Sequence, residues 1–63
     1  MTRQVVFTVK AIGSVGAAEI AKREARLSGM RVVTVASIHP VLGQTGDPRK
    51  DPMSWTVALA VKS

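Results

Sequence analysis

Few residues in this chain of 63 could do chemistry: one histidine, four carboxylates, nine lysines and arginines, and no cysteine. His39 stands immediately before Pro40 and could in principle act as a general base or a metal ligand. A single histidine without thiolates cannot build a tetrahedral zinc site. No Ser–His–Asp order and no carboxylate pair is recognisable by spacing, so His39 reads as a structural or solvated strand-end residue. No catalytic residue, metal or cofactor is expected, and the chain is not read as an enzyme.

Binding chemistry is better represented. Arg49-Lys50 lies in a proline-rich segment, and Lys22, Arg23 and Arg26 share the polar side of a helical pattern. Five such cations could hold a phosphate backbone. Stacking on a single strand would also need interleaved aromatics, and the chain has only Phe7 and Trp55. A solvated basic helix face is the simpler account. The segment Gly13-Ser14-Val15-Gly16 sits where a strand gives way to a helix, a position at which free amides attract anions. It lacks both the G-x-G-x-x-G spacing and a Gly-Lys-Ser/Thr ending, so it reads as a plain turn with Ser14 or Gly16 as the helix cap.

The elements that must position these residues are legible from periodicity. Residues 54–63 alternate strictly, with Trp55, Val57, Leu59 and Val61 on one side and Thr56, Ala58, Ala60 and Lys62 on the other. That is a strand with one buried face, and Trp55 anchors it. Residues 3–12 form a first strand with Val5, Phe7, Val9 and Ala11 on one face. A helix over 15–28 gathers Ala17, Ala18, Ile20, Ala21, Ala25 and Leu27 on one arc, and Gly29 stops it. Glu24 falls inside that arc, which implies either a wet rim position or a contact with a ligand or a second subunit. Residues 30–39 form a second strand whose two faces, Val32/Thr34/Ala36/Ile38 and Val33/Val35/Ser37/His39, are both rather apolar. Residues 40–53 hold all three prolines and make a long connecting loop, with Asp47-Pro48 and Asp51-Pro52 starting turns that present Arg49 and Lys50.

The expected fold is therefore α+β in the order β-α-β-β, a single domain over 1–63 with one helix on a three-stranded, largely antiparallel sheet. A chain this short buries only roughly 60% of its unfolded surface, and it has no disulfide to compensate. One helix covers one sheet face, leaving Val6, Thr8, Ile12, Thr56, Ala58 and Ala60 on the other. That face, with Trp55 and Glu24, supplies the candidate interface of a homo-oligomer. Net charge is +5. No apolar run approaches the ~20 residues of a membrane helix. The opening MTRQVVFTVKA lacks the continuous apolar core of a signal peptide, so the expected location is the cytoplasm.

Two resemblances add to this reading. The strand–helix–strand–strand order resembles the dodecins, small flavin-storage proteins that assemble as hollow dodecamers. Their flavin stacks on a tryptophan of the second strand, whereas here MRVVTVASIH has no aromatic residue and Trp55 is on the third strand. The likeness implies the topology, with a flavin or other planar ligand only as a distant third reading. The segments VVFTVKA, AKREARLSGMRVVTVASIHP and WTVALAV resemble small basic proteins of actinobacterial phages. That likeness implies a phage accessory protein in a host cytoplasm and no particular activity. The function expected is a non-enzymatic interaction protein that homo-oligomerises and binds a host protein. Its alternative is nucleic-acid binding through Lys22, Arg23, Arg26, Arg49 and Lys50.

Overall fold

The computed structural model describes residues 2–62, so Ser63 of the expected last strand lies outside the described residues. Strand β1 (Thr2–Ala11), helix α1 (Gly13–Leu27), strand β2 (Arg31–Pro40) and strand β3 (Met53–Lys62) follow in the expected β-α-β-β order. The last strand is the central one: the sheet order is β1-β3-β2, with both outer strands antiparallel to β3. Period-2 patterning explains why. On β3, Trp55, Val57, Leu59 and Val61 are all buried, and Leu59, Val57 and Val61 are the largest fully buried side chains. A strand flanked on both edges and covered on one face is where the most apolar alternation belongs.

Register places the rest of the core. Val9, Phe7 and Val5 of β1 stand opposite Trp55, Val57 and Leu59. On the other side, Pro40, Ile38, Val35 and Val32 of β2 stand opposite Trp55, Val57, Leu59 and Val61. Neither strict alternation of β2 survives. Register shifts between Val32 and Thr34, and between Val35 and Ser37, leave Val33 and Ala36 as extra residues. Each bulge advances the face by one residue. The spacing becomes three, so Val32, Val35 and Ile38 all reach the covered side, where either alternating face would bring only two large apolar side chains.

Helix α1 meets this wall through Ala17, Ala21 and Ala25, all fully buried, with Ile20 packed beside them. The four-residue spacing is a narrow stripe, and its small side chains let the helix backbone approach the sheet. The apolar arc is thus narrower than expected: Leu27 is 77% exposed, and Glu24 is exposed at the rim. The helix begins two residues earlier than its pattern suggests. Ile12, expected at the end of the first strand, is the N-cap residue and offers no side-chain bond; Ser14 and Gly16 lie inside the helix and cap nothing. The amide of Gly13 instead donates to the Pro48 carbonyl at 3.0 Å, so the long loop supplies the missing partner. At the other end, Met30 N–H donates to Ala25 O and Gly29 N–H to Arg26 O, with Gly29 at φ +81°. That is a complete Schellman stop, as the glycine implied.

Trp55 is 6% exposed, and its indole Nε1–H donates to Ala11 O at 3.0 Å. The ring is a core anchor under the helix, with its one polar atom satisfied. Removing the Leu59 side chain should cost about 2–5 kcal/mol, as large as the whole stability of a core this size. Leu59→Ala is expected to lose its cooperative melt by circular dichroism. The two helix-entry glycines should respond oppositely. Gly13 sits at φ +79°, so Gly13→Ala should lose about 1–2 kcal/mol. A Cβ on Gly16 would meet only Ala11 Cβ, at 3.7 Å, so Gly16→Ala should gain about 0.5–1 kcal/mol of urea stability.

Candidate interaction surface

The sheet face away from the helix is built in four cross-strand rows. Register aligns Thr8–Thr56–His39, then Val6–Ala58–Ser37, Gln4–Ala60–Thr34, and Thr2–Lys62–Arg31. Val6, Thr8, Thr56, Ala58 and Ala60 lie on this face, as expected; Ile12 does not, because the strand ends before it. Trp55 also leaves the interface set, since it belongs to the covered side. The bulges of β2 bring Thr34, Ser37 and His39 to the face, which makes it more polar than alternation suggests. Val6, 63% exposed, is its large apolar side chain on β1, Val33 at the first bulge of β2 is 53% exposed, and Ala58 is buried among its neighbours. A small, hydroxyl-rich sheet surface of this kind is stable in water.

The long loop, residues 41–52, is tied down by one side chain. Gln44 Oε1 accepts from Ser54 N–H at 2.6 Å, while its Nε2 donates to Ser54 O at 3.0 Å and Val41 O at 2.7 Å. The amide thus imitates one rung of a strand ladder just past the end of β2. Further on, Asp47 Oδ1 accepts from Arg49 N–H, and Asp51 Oδ2 accepts from Asp47 N–H. With Lys50 N–H and Asp51 N–H both donating to Asp47 O, these bonds close one compact turn at Asp47-Pro48. Asp51-Pro52 does not start a second one: the Asp51 carboxylate closes the first.

Arg49 and Lys50 are exposed on that turn, as expected, but they do not join the helix cations. Pro48 is bonded to Gly13 at the helix start, whereas Lys22, Arg23 and Arg26 lie about 14–20 Å further along the axis at 1.5 Å per residue. The short connections at residue 12 and residues 28–30 double the chain back on itself. Helix C-terminus, β1 start, β2 start and β3 end therefore share one end of the molecule. Lys22, Arg23 and Arg26 on the helix and Arg3, Arg31 and Lys62 on the strands lie toward this same end, as does Glu24. These six are two-thirds of the chain's nine cations. Arg49 and Lys50 at the other end are offset by Asp47 and Asp51 within one turn. The long axis is 38 Å, several Debye lengths of about 8–10 Å, so the two ends act independently. Arg3, Arg31 and Lys62 escaped pattern reading because each sits in a strand; the short connections around the helix were the signal that could have found them.

Among the described residues no cavity opens, no cluster of His, Asp and Glu could hold a metal ion, and no helix is long and apolar enough to cross a membrane. No family model, curated protein or solved structure matches the chain. Gln44→Ala should remove three hydrogen bonds and leave the Ser54 amide short of its partner. We expect a loss of about 1–3 kcal/mol. Limited proteolysis should also cut residues 41–52 faster, with little change in helical circular dichroism.

Proposed function

We propose that this chain is a non-enzymatic interaction protein that self-associates and uses its basic end to engage an acidic surface on a partner protein. The observation that carries the reading is the gathering of Arg3, Lys22, Arg23, Arg26, Arg31 and Lys62 at one end of the molecule. Like charges held together in a small domain weaken the folded state, and Arg26 alone is favourably placed by the helix dipole. Such an arrangement steers an oppositely charged partner and fixes its orientation. The likeness to phage accessory proteins gives that partner its setting, a protein of the host cell. The working surface moves accordingly, from the loop and helix together to the basic end.

The same six cations favour nucleic acid as the second reading, since a phosphate backbone is the densest acidic surface available. The two readings separate by experiment. The tagged chain is incubated with nuclease-treated host lysate, and any captured protein is purified and titrated. Arg23→Glu/Arg26→Glu is expected to weaken that binding about tenfold or more, each exposed charge contributing roughly 0.5–1 kcal/mol. Arg49→Ala/Lys50→Ala should leave it nearly unchanged. If nuclease treatment abolishes capture and the purified chain binds random-sequence duplex with a steep salt dependence, the nucleic-acid reading replaces this one. If the loop variant alone loses binding, the basic end is not the surface.

A further inference from the structure

The two outer strands of the sheet are built differently. Strand β2 carries two bulges and ends in Pro40, each a device that spoils further strand pairing. Strand β1 carries none of these: it pairs with β3 one residue to one residue over all ten positions, without a register shift. Its charges, Arg3 and Lys10, stand at the two ends, leaving six uncharged residues from Gln4 to Val9 between them. No backbone group of β1 bonds to the loop, the helix or a turn among the described residues. Its outer N–H and C=O groups are therefore open to a further strand.

Resting on the reading that the chain self-associates, we infer that β1 pairs antiparallel with β1 of a second copy, joining two sheets into one of six strands. A two-fold axis normal to the sheet keeps both helices on the same face. Opposed residues must then face the same way, so their sequence numbers have the same parity. Arg3 is odd and Lys10 even, so this symmetry never sets one directly across from the other. Centring the axis on Val6 opposes Val6 with its own copy, Val5 with Phe7, Gln4 with Thr8, Arg3 with Val9 and Thr2 with Lys10. Val5 and Phe7 are the half-buried members of the core on this edge, and each covers the other. Centring on Phe7 would instead oppose Val5 with Val9, which is buried already. Val6, 63% exposed on the uncovered face, also gains a partner. Each copy carries a net charge of +5, so added salt screens the repulsion between copies and tightens the dimer rather than loosening it.

The chain has no cysteine, which makes crosslinking a direct readout. Opposed Cα atoms in an antiparallel pair are about 4.5–5.5 Å apart, within the ~4.4–6.8 Å range of a disulfide. Val6→Cys should therefore oxidise to a covalent dimer at micromolar concentration, and Ala60→Cys on the central strand should not. Sedimentation of the unmodified chain should give a dimer that strengthens with salt. Val6 is exposed and Ala60 half-buried, so both variants keep the core intact, which circular dichroism would check. Crosslinking through Ala60→Cys alone would mean that sheets stack face to face, overturning the edge pairing while self-association stands. Crosslinking of both variants alike would mean random collision and overturn the register. A monomer at all salt concentrations with neither variant crosslinked would overturn the pairing and the self-association together.

Discussion

Three alanines set the character of this molecule. Ala17, Ala21 and Ala25 are the only fully covered positions of the helix, and they lie against the valines and leucine of β3. Small side chains on one layer oblige the other layer to supply the bulk, and it does: the largest fully buried side chains all come from the central strand. Close approach brings good packing but a thin core. Each large side chain of β3 then carries a large share of the total, because a domain of this length has little apolar area to spread the load across.

The same thinness explains the irregularity of β2. A second outer strand in plain alternation would deliver Val32 and Ile38 with Thr34 and Ala36 between them, or Val33 and Val35 followed by Ser37 and His39. Two bulges deliver Val32, Val35 and Ile38 together, at the cost of unpaired ladder positions at Val33 and Ala36. The bulges have a second consequence at the edge, where they and Pro40 leave β2 a poor template for pairing. Strand β1, whose apolar residues already fall at every second position, needs no such correction. Core packing and edge chemistry are thus two results of one sequence difference between the outer strands.

Loop and helix are coupled through a single backbone bond. The Pro48 carbonyl accepts from Gly13, so a helix without a side-chain cap is capped from residue 48. The Asp47–Asp51 turn that presents this carbonyl also neutralises Arg49 and Lys50 locally. What stands out in the charge distribution is the opposite end, where β1, β2, β3 and α1 converge and cations accumulate with little to offset them. Charge and fold are connected there by topology: a strand–helix–strand with very short connections must bring those termini together.

Much of this protein was written in the chain. Order, class, the buried faces of β1 and β3, the Gly29 stop, the exposed turn with Arg49 and Lys50, and five residues of the uncovered face all follow from local periodicity and turn chemistry. Such signals depend on neighbours within a few positions, which a sequence displays. The bulges of β2, the cap donated by Pro48, the rung formed by Gln44 and the six-cation end depend on residues far apart in the chain. Which face of β2 turned inward was decided by what Val57, Leu59 and Val61 across the sheet required, and only the folded arrangement contains that requirement.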